Sequence, residues 1–316
     1  MTGRGYNIGT VDVPGRAVRI LTGEARPGSV VPHLFTRLSW SPDGGRIAFA
    51  GVGVDTDRAG DRTDIYTVRH DGARRRRLTR LGDALNPIWS PDGRSIIFTR
   101  LRPVASSENA TPAGALWAMS TSGGHLRRVT RSIDGQIDVA GSFTPDGSVL
   151  LLSRATCEES SDGGCSERTS TVLAVRPDGS DERNLVSRAA DPAVSPDGRH
   201  LAFVSDRDEN GTLNYGDREF PANELYVSNR DGTNARRLTR SRARNETSPS
   251  WLPDGRRLAF QRGVAFDNAE AMSIFQVNRD GSCERSVLAS SPPGPWYASP
   301  AWRPGKSRRA AGRLAC

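Results

Sequence analysis

The sequence predicts an all-β fold, a six-bladed β-propeller of four-stranded antiparallel blades. Three observations carry that prediction. A motif built on Pro-Asp-Gly returns six times along the 316 residues, the last copy degraded. Hydrophobic residues make up 35% of the chain, too few for one thick core when an average domain has about 45–50%. Finally, 33 Gly and 20 Pro supply the tight turns that a repeated array of short strands needs.

The fullest copy, Leu38-Ser-Trp-Ser-Pro-Asp-Gly-Gly-Arg-Ile-Ala-Phe49, returns as Pro87-Ile-Trp-Ser-Pro-Asp-Gly-Arg-Ser-Ile-Ile-Phe98. Shorter forms stand at Phe143 to Gly147, Val194 to Gly198 and Trp251 to Gly255, and the remnant at Pro300 to Gly305. The turn aspartates Asp43, Asp92, Asp146, Asp197 and Asp254 are 49, 54, 51 and 57 residues apart. A period of about 40–50 residues with four strands in each marks propeller blades. Proline pre-sets φ at the second turn position, aspartate bonds nearby backbone N–H groups, and glycine takes the positive φ that closes the hairpin. The strand that follows, Arg46-Ile-Ala-Phe-Ala50, is apolar on both faces, as expected where neighbouring sheets cover both sides.

Each copy then carries a β-rich segment ending in Asp-Gly or a substitute, followed by a basic segment closing on Leu-Thr or a relative. Asp64 to Gly72 leads to Leu78-Thr79, and Glu224 to Gly232 leads to Leu238-Thr239. The repeats therefore run approximately over 37–85, 86–137, 138–190, 191–246 and 247–298 of one propeller domain spanning 1–316. The sixth, 299–316, is completed by 5–36. Tyr6 to Val13, a Pro14-Gly15 turn and Arg16 to Thr22 read as two outer strands, and Pro300 to Trp302 with Arg308 to Leu314 as an inner pair. Pairing the N-terminal outer strands with the C-terminal inner strands closes the ring.

The pattern P-x-W-S-P-D-G-x-x-I-A-F, followed by L-Y-x-x-x-x-D-G-x-x-x-R-x-L-T, resembles the WD40-like PD40 repeat of the TolB-type six-bladed propellers. The resemblance covers essentially the whole chain and is specific for the fold; function lives in sites grafted on it. Related propellers act in the Tol–Pal envelope system, in front of prolyl oligopeptidase-type hydrolases, and in secreted lyases. The resemblance implies a periplasmic or extracellular protein with a protein or peptide partner.

Chemistry is sparse. No G-x-S-x-G nucleophile elbow occurs, and eleven residues follow Gly305, which argues against a peptidase. His33, His70, His125 and His200 are scattered and read as surface imidazoles. The sharper candidate is Asp206-Arg-Asp208-Glu-Asn210-Gly211, with Asp217 at the twelfth place, which matches the start of a calcium loop. A solvated acidic loop is the other reading, so no cofactor is expected unless it is calcium. Asp55, Asp57 and Asp61 sit in the equivalent loop of the first blade and are candidates for a binding rim.

Cys157 and Cys165 bracket a polar, Gly-rich loop in the third blade, and their spacing suits a local disulfide and an oxidising compartment. Cys283 and Cys316 are a second conceivable pair. The segment MTGRGYNIGT carries no apolar signal region, which leaves the cytoplasm as the alternative compartment, or a leader upstream of this chain.

The net charge of +8 comes from 43 Arg and one Lys. That skew points to genome composition rather than a phosphate-binding surface, so nucleic acid is not an expected partner. The run Arg74 to Arg77 reads as a solvated outer-strand edge guarded against edge pairing, and Trp40, Trp89, Trp251 and Trp302 as packing around the inner strands. No apolar run reaches the ~20 residues that span a bilayer as a helix. The reading is a monomeric, non-catalytic propeller that binds a protein or peptide; the alternatives are a channel-sited enzyme acting on a polysaccharide or small molecule, and a calcium-dependent structural module.

Overall fold

The computed structural model describes residues 7–11, 18–22, 30–32, 37–53, 62–102, 112–159, 165–215, 218–241, 244–263, 272–289 and 300–304. Within these residues every regular element is a strand. The chain divides into two compact units, 1–140 with 155–168, and 141–154 with 169–316.

In the first unit, Arg46–Gly53 pairs on one edge with both Val30–Pro32 and Ser39–Trp40, and on the other with Thr63–Arg69, which pairs Arg76–Arg77. Ala84–Trp89, Ser95–Arg102, Ala113–Ser120 and Arg127–Arg128 form the second four-stranded blade. In the third, Gln136–Phe143, Leu150–Glu159, Cys165–Val175 and Arg183–Ser187 lie side by side in that order. The second unit holds two more blades, Ala190–Val194 through Arg236–Arg237, and Asn245–Trp251 through Arg285–Leu288.

The Pro-Asp-Gly turn is held by one short relay. Asp43 accepts from Ser41 Oγ (2.5 Å) and from the Gly45 N–H (2.9 Å), and Ser41 Oγ accepts the Arg46 N–H (2.9 Å). Ser90 with Asp92, Thr144 with Asp146 and Ser195 with Asp197 repeat the contact, and Gly44, Gly93, Gly147, Gly198 and Gly255 all take positive φ. The hydroxyl bond holds Asp43, Asp92 and Asp197 below the usual carboxylate range, and Thr144 with Ser148 brings Asp146 down to about 2. Leu252 breaks the pattern in the fifth copy; there Asp254 takes the Arg257 Nε instead, at 2.7 Å.

Between blades the packing also repeats. Phe49 with Tyr66, Phe203 with Tyr226 and Phe260 with Phe275 stack across the second and third strands at centroid distances of 5.6–5.9 Å. Trp89 joins Ala48, Ala50 and Ile65 in the seam between the first two blades, and Trp251 joins Ala202, Leu225 and Val227 between the fourth and fifth. Small residues on one sheet make room for the indole on the next. Outer-turn glycines abut the blade before them: a Cβ at Gly123 would stand 2.4 Å from the Leu78 carbonyl oxygen, one at Gly232 2.8 Å from that of Leu185, and one at Gly281 3.5 Å from that of Leu238. Of the run Arg74 to Arg77, three guanidinium groups do more than face water: Arg75 donates to the Val30 carbonyl, Arg76 to the Ser122 carbonyl and Arg77 to Asp64.

The N-terminal strands Gly9–Val11 and Val18–Ile20 pair antiparallel and reproduce the outer half of a blade contact by contact. A Cβ at Gly72 would meet the Leu21 carbonyl at 2.7 Å, as one at Gly123 meets Leu78. Arg19 donates to the Asp71 carbonyl as Arg76 does to Ser122. Thr22 Oγ1 accepts the Ile8 N–H at 2.8 Å, just as Thr79, Thr130 and Thr239 accept those of Ile65, Leu116 and Leu225 at 2.9 Å, always fourteen residues apart. Ile8 and Leu21 then pack on Ile47, Phe49 and Tyr66 of the first blade. At the other end Trp302 packs on Leu252, Ala259 and Ile274 of the fifth. The N-terminal strand pair thus matches the outer half of a blade, and of the C-terminal inner pair only 300–304 lie within the described residues.

Thr22→Val and Thr79→Val should each cost about 1–3 kcal/mol, because both leave a buried N–H without its acceptor; urea unfolding measures this, and the larger loss is expected at Thr79, whose hydroxyl also donates to the buried Asp64. Stability carried by the turn aspartates is present above the ordinary aspartate range and should be lost as pH falls toward about 2.

Candidate functional site

Among the described residues, one inter-strand loop forms a strand pair of its own. In the fourth blade the segment after Ser205 becomes a separate hairpin, Thr212–Tyr215 against Arg218–Pro221, closed at its base by the Ala222 N–H on the Gly211 carbonyl (3.0 Å). Glu209 takes positive φ in the turn that leads into it, and its N–H bonds the Asp206 carbonyl.

The calcium-like residues sit at that base, each with its own protein partner. Asp206 accepts Arg188 Nε (3.1 Å), Asp208 is ion-paired with Arg237, and Asn210 Nδ2 donates to Glu224 Oε1 (2.7 Å). Arg207 lies over the Phe203 and Tyr226 rings at 5.1 and 5.2 Å and donates to Ser205 Oγ and the Ser187 carbonyl. Asp208 and Asn210 therefore meet around Glu224 and Arg237, whereas Asp206 turns to Arg188. Asp217, Asp55, Asp57 and Asp61 lie outside the described residues.

Behind the hairpin is a polar cluster that sequence reasoning missed. Glu224 and Glu246 are both 0% exposed. Glu224 accepts from Thr239 Oγ1 (2.5 Å), Asn210 Nδ2 and the Ser241 N–H (2.6 Å). Ser241 Oγ donates to Glu246 Oε1 (2.7 Å), which also accepts Arg262 Nε (2.6 Å), and Arg262 continues to both oxygens of Glu284. Burial pushes Glu224 up, and pushes Glu246 up to about 7. Tyr226 is raised to about 12, mainly by burial and next by Asp208. The missed signal was positional: counted from the turn, Glu246 stands where the second and fourth blades carry the buried Ala84 and Ala189 and the third carries the buried Asp138.

Inner-strand residues are similarly engaged. Asn86, Asp191 and Ser248, each before a proline, take φ of 50–56° at breaks in strand register. Asp191 Oδ2 accepts the Ser248 N–H at 2.8 Å. On the turn face of the second unit, Asp146, Asp197, Arg199, Arg230 and Asp231 line a concavity of about 540 Å3. The Cys157 and Cys283 sulfurs are both disulfide-bonded.

The family described as TolB beta propeller domain, PD40, matches residues 18–215. Among solved structures, TolB from Acinetobacter baumannii superposes with a TM-score of 0.63 at 21% identity, over 95% of this chain and 63% of that one. A putative TolB from Agrobacterium tumefaciens gives 0.60 at 18%, over 86% and 84%. An oligogalacturonate lyase in complex with manganese gives 0.53 at 15%, over 90% and 74%. The "Uncharacterized peptidase YuxL" of Bacillus subtilis (strain 168) is 37% identical over 82 residues, 24% of this chain and 12% of that protein. These structural likenesses speak to the fold. The chain spans about an eighth of the curated relative it matches.

Arg237→Leu should strand Asp208, whose side chain is only 13% exposed, and cost about 1–3 kcal/mol. The more exposed Arg188–Asp206 pair should give a clearly smaller loss on Arg188→Ala, because solvent screens it. Urea unfolding reads both, and amide exchange across 212–221 should accelerate in Arg237→Leu.

Proposed function

This chain belongs to the TolB β-propeller family, and on that premise we propose that it is a non-catalytic propeller that binds a protein or peptide through its inter-strand loops. One observation carries the reading: the fourth blade holds a separate two-stranded hairpin, Thr212–Tyr215 against Arg218–Pro221, while Asp206, Asp208 and Asn210 tie its base to three separate partners. A strand pair on a fixed base offers a partner its backbone without first having to be ordered.

The ring has six blades, with the half-blade at 8–22 and the one beginning at Pro300 completing the sixth. Leu21, Thr22 and Arg19 support this, because they make the contacts that Leu78, Thr79 and Arg76 make in a complete blade. The working compartment is the periplasm or cell exterior. Oxidised Cys157 and Cys283 support it, with Cys157 joined to Cys165.

Replacing Thr212–Pro221 by a Gly-Ser turn should abolish photo-crosslinks that the native protein forms in its own compartment while leaving its Tm unchanged. Retention of every crosslink by that variant would overturn the reading, as would oligosaccharide turnover by the native protein. Peptide mapping before reduction should recover Cys157 linked to Cys165; free thiols at both would remove the support for an oxidising compartment.

A further inference from the structure

The seam between the first and second blades provides an internal standard for the seam between the fourth and fifth. In the former, one carboxylate is buried: Asp64, 1% exposed, faces Ala84. Four donors surround it, Arg77 Nη2 (2.6 Å), Thr79 Oγ1 (2.7 Å), and the Leu81 and Gly82 N–H groups (2.7 and 3.3 Å). In the latter, Glu224 stands where Asp64 does, and Glu246 where Ala84 does. Arg237, the counterpart of Arg77, is turned to Asp208, so Glu224 keeps only neutral donors. Glu246 Oε2 is buried with no hydrogen-bond partner.

The charges facing Glu246 can be counted among the described residues. Its own blade contributes Arg262 and Glu284; the fourth blade contributes Glu224 and, behind it, Asp208 with Arg237 and, over the Tyr226 ring, Arg207. Four carboxyl groups share three guanidinium groups, an excess of one negative charge if all ionise, and of the three only Arg262 touches either buried glutamate. Two fully buried carboxylates bridged by one serine are a poor home for that excess, since a buried charge without a partner costs several kcal/mol.

We propose that this seam is a proton-dependent latch, closed while Glu246 is a neutral carboxylic acid and weakened when Glu246 ionises beside Glu224. The raised titration of Glu246, to about 7 from an ordinary 4.5, agrees with the geometry. A carboxyl group raised in the folded state contributes stability that is fully present below about pH 4.5 and is lost as pH rises through about 7. Turn aspartates work in the opposite direction, so the two effects separate by pH. Through Asn210 on Glu224, a loosened seam also reaches the base of the hairpin. The latch stands on the seam geometry alone, whatever the hairpin binds.

The test is amide hydrogen exchange at pH 6 and pH 8 on the full chain, corrected for intrinsic base catalysis. Strands Glu224–Asn229 and Arg257–Gly263 should lose about tenfold in protection over that interval, while Thr63–Arg69 and Ser95–Arg102, around Asp64, should not. Glu246→Gln should abolish the loss. Glu246→Ala, which restores the residue found at Ala84 and Ala189, should do the same and guards against a glutamine that folds poorly. Equal changes in both seams of the native protein would overturn the proposal, as would an undiminished tenfold loss in either variant. Infrared difference spectra give a readout independent of the variants: a protonated-carboxyl band should be present at pH 6 and gone by pH 9, and its absence at pH 6 would also overturn the proposal.

Discussion

A four-stranded sheet that is apolar on both faces cannot stand alone in water, and the rest of this structure follows from that constraint. Phe49, Phe98, Phe203 and Phe260, all fully buried, are covered partly by their own sheet and partly by the next. Each blade's stability is therefore held largely in its seams, as in other repeat architectures where neighbour contacts carry the cooperativity. Three repeated devices fix those seams: a turn glycine against the preceding leucine carbonyl, an arginine from the outer strand to the next outer turn, and an indole against small residues. Because they recur, a departure in one seam can be read against the others.

Among the described residues, two departures lie close together. The fourth blade forms a separate hairpin after its second strand, ties the base of that hairpin down with charged and amide side chains, and shares with the fifth blade a seam containing two buried glutamates. At the position of Glu246 the second and fourth blades hold alanine, which costs nothing to bury, and the third holds one buried carboxyl group, Asp138. A second carboxyl group beside Glu224 lowers the stability of the ionised form. Proteins carry such local costs at sites of function or of regulated motion. The base of the hairpin and the glutamate pair are joined by the hydrogen bond from Asn210 to Glu224, so the proposed recognition loop and the proposed latch are mechanically adjacent.

Most of the fold was legible in the sequence because it rests on local chemistry. Ser41, Asp43 and Gly44 close a turn with partners a few residues away, and Leu21-Thr22 repeats the spelling of Leu78-Thr79. The candidate site was legible in position but not in its contacts. Asp206, Asp208 and Asn210 have a spacing that serves a metal loop or a hairpin base equally well, and their neighbours Arg188, 18 residues from Asp206, and Arg237, 29 residues from Asp208, are brought up by the fold. The contacts of the Arg74 to Arg77 run were hidden in the same way, since Val30 and Ser122 lie about 45 residues away. Glu246 escaped notice because nothing near it in sequence marks it; only alignment on the turn puts it in register with Ala84, Asp138 and Ala189.

If seams hold the fold, the two half-blades at the chain ends must share one. Spin labels at Thr10 and Arg303 measure this directly by electron–electron dipolar coupling. Strands two places apart in one sheet lie about 10 Å apart, so, allowing for the label arms, a single narrow distance distribution centred below about 25 Å is predicted. A broad distribution extending well beyond that would contradict the shared sixth blade, and with it the claim that every sheet here is covered by a neighbour on each side.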